Sequence, residues 1–242
     1  EARDAVIHAD AATTYRELAD RLASCEGVLT KVPPGAVTAL EADFSPQSVA
    51  MLLALARRGC QLVPLSPAAE NKKSEFLATA EVEQVVTVDG QDRVSVRPTG
   101  VSAAHALSAR LREARAPGLV LFSSGSPGAS KAVLHNLSTL LAKFEVRRHA
   151  RRMVGFLLFD HIGGVNTLLY ALSNGGCLIV PPNRSPDAVL GAIARHRGEV
   201  LPTSPTFLNL VLISEAYQRH DLSSLRLVTY GTEPMPESTL KR

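Results

Sequence analysis

Cysteine is scarce. The three residues, Cys25, Cys60 and Cys177, are an odd number with no C-x-x-C pair among them. That excludes a disulfide framework and a zinc knuckle, and it predicts a reduced, cytoplasmic protein. Each cysteine lies in an apolar stretch, so burial in a core is the expected fate of all three. Long apolar runs are missing too. The longest, such as Met51–Ala56 and Phe156–Phe159, fall far short of the ~20 residues that span a bilayer. The start, Glu1-Ala2-Arg3-Asp4, has neither the basic residues nor the apolar run of a signal peptide. It also lacks an initiator methionine, which suggests trimming at this end. Lysine is rare, 6 residues against 20 arginines. Beside abundant alanine, that ratio reflects a GC-rich genome rather than a nucleic-acid surface, and no nucleic-acid partner is expected.

What is present is ordinary for a globular protein. Hydrophobic residues make up 45% and charged residues 20% of 242 residues, with a formal net charge of +3. This length fits one large domain or two small ones. The one dense basic run is Arg147-Arg148-His149-Ala150-Arg151-Arg152. It ends a helix-like stretch, where cations suit the helix dipole. The other reading is a contact for an anionic partner, a cofactor phosphate or a carrier protein.

Short apolar runs alternate with helical periods. Thr14-x-x-Glu17 is a capping box, followed by Leu18, Leu22, Cys25 and Leu29 on one helical face. Ser45-Pro46, Ser185-Pro186 and Ser204-Pro205 each pair an N-cap with proline at the first helical position. Strands are expected at 5–8, 36–40, 60–65, 84–88, 119–122, 154–159, 177–180, 200–202 and 225–230, and helices at 45–58, 74–80, 103–115, 137–151 and 165–172. This order predicts an α/β fold of βα units with mainly parallel sheets flanked by helices. A polar stretch at 89–100 suggests a seam, and the expected subdomains are 1–112 and 113–242.

The strongest chemical signal is the loop Ser123-Ser124-Gly125-Ser126-Pro127-Gly128-Ala129-Ser130-Lys131 after a strand. Small hydroxyl residues and glycine let N–H and O–H groups converge on phosphate oxygens, and Lys131 adds a point charge. The Walker spacing is absent. The residues alone allow either a phosphate loop or a plain polar turn.

This loop, with Leu121-Phe122 before it, resembles the phosphate loop of the adenylate-forming superfamily: acyl-CoA synthetases, nonribosomal peptide adenylation domains and luciferases. Other segments resemble the superfamily in the same order. They are Thr14-Tyr15-Arg16-Glu17-Leu18, the stretch from Leu53 to Pro67, Phe159-Asp160-His161-Ile162-Gly163-Gly164, Leu201-Pro202-Thr203-Ser204-Pro205-Thr206 and Leu225 to Pro236. The style is closest to acyl-CoA synthetases.

The resemblance implies the large N-terminal domain of such an enzyme. It implies a carboxylate that attacks Mg-ATP to give acyl-AMP and pyrophosphate. A thiol of CoA, or of a carrier protein's phosphopantetheine, then takes the acyl group. Ser123, Ser124, Gly125, Ser126, Gly128 and Lys131 match the triphosphate loop. Gly231, Thr232, Glu233 and Pro234 match the adenine-side segment. His161 matches the residue beside the acyl carboxylate, and Gly163 and Gly164 match small residues of the acyl tunnel. His161 and Lys131 are the catalytic candidates, and no metal-ligand set is assigned within this chain.

Alternatives stand beside these roles. His161 can be a core histidine satisfied by Asp160. Gly163-Gly164 can serve helix initiation alone, and Glu233 can be a helix-start acid. Phe159-Asp160 also resembles the F-D of amino-acid-activating domains, whose aspartate pairs with an α-amine. A catalytically degenerate relative that binds an acyl group or a partner is a further possibility. Pro127, one of two departures in the loop, motivates it. Pro127 stands where threonine is usual, removing an N–H and a hydroxyl. Ser130 stands where proline is usual, which should loosen the loop. Members of the superfamily run to about twice this length and continue to a Y-G-x-T-E motif and a C-terminal lysine. The chain is therefore expected to be the first half of such an enzyme, inactive alone and, with its sheet edges uncovered, prone to self-association.

Overall fold

The structure, a computed structural model, describes residues 2–123, 130–231 and 233–241. In chain order the elements are β1 (Asp4–His8), β2 (Ala11–Thr14), α1 (Tyr15–Val28), β3 (Val37–Glu41), α2 (Pro46–Arg57), β4 (Gln61–Leu65), α3 (Lys73–Thr79), β5 (Gln84–Val88), β6 (Val94–Pro98), α4 (Ala106–Glu113), β7 (Gly118–Ser123), β8 (Lys131–Asn136), α5 (Leu137–Ala142), β9 (Arg152–Val154), α6 (Ile162–Ser173), β10 (Cys177–Ile179), α7 (Pro186–His196), β11 (Val200–Thr203), α8 (Pro205–Ser214), β12 (Leu227–Tyr230) and α9 (Glu237–Lys241). The contacts group the chain into two units.

One unit holds residues 16–146 and 159–162. Its sheet has the order β6-β5-β3-β4-β7-β8. Strands β5, β3, β4 and β7 are parallel, so Val88, Glu41, Leu65 and Ser123 close the same edge of the sheet. The edge strands β6 and β8 run antiparallel. Its core is apolar: Val37, Ala39, Val63, Leu65, Val82, Val85 and Val120 form one cluster. Helix α2 starts as its sequence dictates. Ser45 accepts from the Ser48 N–H, and the Ser48 hydroxyl accepts from the Ser45 N–H. It ends at Gly59, whose φ of +74° favours glycine.

The other unit holds residues 1–15, 147–158 and 163–242. Its sheet has the order β12-β11-β9-β10-β1-β2, all parallel except the β1–β2 hairpin. Helices α7 and α8 are capped by Ser185 and Ser204, whose hydroxyls accept from the N–H groups of Ala188 and Phe207. Val154, Val189, Leu190, Ile193, Leu201, Phe207 and Val211 form its core.

The α/β class with mainly parallel sheets is borne out, and all three cysteines are buried and free. The two contact units do not part at 112/113, because β7, β8 and α5 complete the sheet begun by β3. Other expectations need correction. The helix expected over 137–151 stops at Ala142. The basic run beyond it is not a helix end: the Arg148 N–H donates to Asn174, Arg151 pairs with Glu199 and Arg152 with Asp4. Finally, a strand, β8, follows the Ser/Gly loop directly.

Candidate active site

Ligand sites in parallel α/β sheets lie at the carboxyl ends of the strands. In the first unit that edge carries the Ser/Gly loop. Strands β7 and β8 are an antiparallel pair whose last rung opposes Ser123 and Lys131. Ser123 and Lys131 therefore face each other at the mouth of a β-hairpin, and the element that follows the loop among the described residues is the strand β8. Its two mouth residues are exposed, and among the described residues Lys131 has no carboxylate partner. The loop residues Ser124, Gly125, Ser126 and Gly128, and Pro127 with them, lie outside the described residues.

Helix α3 packs against both stems of this hairpin. The Phe76 ring stacks on Phe122 at 3.9 Å and 6°. The Ser130 N–H donates to Glu75 Oε1 at 2.6 Å. That bond, reinforced by the Ser130 hydroxyl, holds the Glu75 carboxyl below the usual carboxylate range. Ser130 is buried. Serine in place of proline supplies the N–H of this bond, and the loop that it was expected to loosen lies outside the described residues. Sequence reasoning missed Glu75 and Phe76, and no local pattern marks them.

At the neighbouring strand β4, Ser66 follows the carboxyl end. Both its N–H and its hydroxyl donate to Asp160 Oδ2, at 3.1 and 2.7 Å. The Asp160 side chain is only 12% exposed, and Oδ1 is fully enclosed. Phe159 is buried, edge-on to Phe44 at 5.2 Å. These contacts fix the 159–162 tip and leave His161 outward, its side chain 59% exposed. His161 Nε2 stands 4.0 Å from Asp160 Oδ1, beyond hydrogen-bond reach. The reading of His161 as a core histidine satisfied by Asp160 is overturned.

The other candidates belong to the second unit. A Cβ on Gly164 would lie 1.9 Å from the Leu158 carbonyl oxygen, and one on Gly163 would lie 2.6 Å from Leu157 Cδ1. Gly164 thus has a backbone reason to be glycine. Gly231 and Glu233 follow the carboxyl end of β12, and the Thr206 hydroxyl in the first turn of α8 donates to Glu233 Oε2 at 2.5 Å. Pro234 is exposed beside them, and Thr232 lies outside the described residues. Among the described residues no group of three or more His, Cys, Asp or Glu could hold a metal, and no helix is long and apolar enough to cross a membrane.

Comparison with known proteins gives this arrangement a family. A feruloyl-CoA synthase from Amycolatopsis sp is 26% identical over 98% of this chain and 53% of its own. An indoleacetate–CoA ligase from Aromatoleum aromaticum is 29% identical over 52% of this chain and 26% of its own. The chain thus spans about half the length of the relative that it matches end to end. Among solved structures, the N-terminal subdomain of Klebsiella oxytoca NpsA in complex with 3-hydroxybenzoyl-AMSN has the same fold. Its TM-score is 0.78 at 22% identity, covering 99% of this chain and 64% of that one. The AMP-binding enzyme family matches residues 1–242, and the chain belongs to that family.

Proposed function

We propose that this chain is the nucleotide- and acyl-binding part of an ATP-dependent acid–thiol ligase. The observation that carries the reading is the β7–β8 hairpin mouth, where Ser123 faces Lys131, a cation without a carboxylate partner among the described residues, at the carboxyl edge of a parallel sheet. The family match supports it.

In the first half-reaction a substrate carboxylate oxygen attacks the α-phosphorus of ATP. An acyl–O–P bond forms, the P–O bond to the β-phosphate breaks, and pyrophosphate leaves. Charge spreads over phosphate oxygens, so positioned donors and a cation do the work. Lys131 supplies the cation and Ser123 a hydroxyl; Ser124, Gly125, Ser126 and Gly128 are assigned the remaining donors. Mg²⁺ is assigned to the nucleotide phosphates. Gly231, Thr232, Glu233 and Pro234 are assigned to the adenine. In the second half-reaction a thiol of CoA, or of a carrier protein's phosphopantetheine, attacks the carbonyl carbon. The C–O bond to AMP breaks, and the thiol proton is lost.

His161 is assigned to the acyl carboxylate, with Gly163 beside it. An acid without an α-amine is favoured by the resemblance of His161-Ile162-Gly163-Gly164 to acyl-CoA synthetases; in Asp160, Oδ2 accepts from Ser66 and the enclosed Oδ1 has no hydrogen-bond partner among the described residues. ATP–pyrophosphate exchange by the full open reading frame over fatty, aryl and amino acids tests this. Exchange with fatty or aryl acids is expected; exchange with amino acids alone contradicts it. The compartment assigned is the cytoplasm. Self-association is assigned to edge strand β12, where Leu227, Val228 and Tyr230 are exposed. Light scattering should show mass rising with concentration, and a monomer throughout contradicts this.

A further inference from the structure

Two independent contacts reach the loop stems from one short helix. On the entry side, Phe76 stacks on Phe122, one residue before Ser123. On the exit side, Glu75 receives the N–H of Ser130, one residue before Lys131. Glu75 and Phe76 are consecutive, so a single turn of α3 grips both ends of a loop that spans eight residues from Ser123 to Ser130. The β7–β8 ladder alone fixes the rung at Ser123 and Lys131. It does not fix Ser130, whose N–H lies beyond that last rung.

We propose that Glu75 is a positioning residue for nucleotide binding: with Phe76 as the second jaw, it clamps the exit stem of the 123–131 loop and so aims Lys131. The inference rests on the reading of that loop as a phosphate loop. It also accounts for Ser130. Serine supplies the N–H and hydroxyl that Glu75 requires, so this position and Glu75 form a unit.

A carboxylate beside a phosphate loop works against anion binding by its charge. A glutamate with no task there would therefore weaken the nucleotide, and its removal would help. The clamp makes the opposite forecast, because an unheld stem must be ordered when the nucleotide binds.

The test uses four variants of the chain: Glu75→Ala, Glu75→Gln, Ser130→Pro and the double Glu75→Ala/Ser130→Pro. Two readouts are taken, amide hydrogen exchange at Ser130 and Lys131 and the Mg-ATP dissociation constant by NMR titration, with urea midpoints as the folding control. Glu75→Ala should speed exchange of the Ser130 amide about tenfold, the scale of a lost hydrogen bond to a charged acceptor, and weaken Mg-ATP several-fold. Glu75→Gln, which keeps a weaker, neutral acceptor and loses the charge, should free the Ser130 amide less than Glu75→Ala does and weaken Mg-ATP less. Ser130→Pro should weaken Mg-ATP as Glu75→Ala does, and the double variant should add nothing further. Unchanged Ser130 exchange in Glu75→Ala overturns the clamp. So does faster exchange with unchanged or tighter ATP binding, or additive loss in the double variant. If wild type binds no ATP while Glu75→Ala still frees the Ser130 amide, the clamp stands as a stem contact and the phosphate-loop reading falls.

Discussion

Single side chains carry most of the chemistry. Lys131 is an exposed cation without a described carboxylate partner, whereas Arg151 and Arg152 of the basic run are spent on Glu199 and Asp4. A point charge on a phosphate is worth more than most neutral contacts. Lys131→Ala should raise the ATP KM about tenfold and leave acyl binding unchanged; an unchanged ATP KM would place the side chain in solvent. Gly164 makes the opposite kind of forecast, one about stability. Its Cβ would meet backbone, which cannot swing away, while that of Gly163 would meet the end of a leucine side chain. Gly164→Ala should lower stability at the upper end of the ~1–3 kcal/mol typical of overpacking, and Gly163→Ala by clearly less. Thermal unfolding of the two variants checks the order. The resemblance made His161 visible, but it could not show that Asp160 is held by another residue. That depends on Ser66, 94 residues earlier in the chain.

Helices were easier to read than strands. The three Ser-Pro starts each became a capped helix, because both signals are local: a hydroxyl acceptor and a fixed φ. Strands β2 and β8 were not legible. The β1–β2 hairpin turns at Ala9-Asp10, both at positive φ, where Asn-Gly would have advertised the turn. Strand β8, Lys-Ala-Val-Leu-His-Asn, is an edge strand with exposed residues, so its register comes from β7 and not from its own pattern. The basic run misled because its partners come from β1 and from the residue before β11.

Glu199, which precedes β11, ties that strand to β9. It accepts from Arg151 and from the Arg152 N–H, at 2.8 and 3.0 Å. Burial works against its ionisation, but the Arg152 N–H and the Arg151 guanidinium outweigh it and hold its carboxyl below the ordinary 4.5. The folded state therefore binds fewer protons than the unfolded chain near that pH. This contribution is full above 4.5 and is lost as pH falls through the lower folded value. Glu199→Gln should lower the urea midpoint at neutral pH and flatten its fall on the acid side. Parallel acid limbs in the two proteins would show the carboxylate to be uncoupled from folding.

At the scale of the molecule, the α/β class followed from alternating periods, but its division did not. The chain leaves the first sheet after α5, returns for 159–162, and gives its first 15 residues to the second sheet. Such a division depends on pairings more than 100 residues apart, like that of Val6 with Leu178, which no local signal encodes. The reaction proposed joins a carboxylate oxygen of the substrate to the α-phosphorus of ATP. Its most direct measurement is isotopic. The full open reading frame is given an ¹⁸O-labelled fatty or aryl acid, ATP and CoA, and the products are read by phosphorus NMR. One ¹⁸O should appear in AMP and none in pyrophosphate. Label in inorganic phosphate with ADP as the nucleotide product, or no label transfer with any carboxylate, would contradict the account.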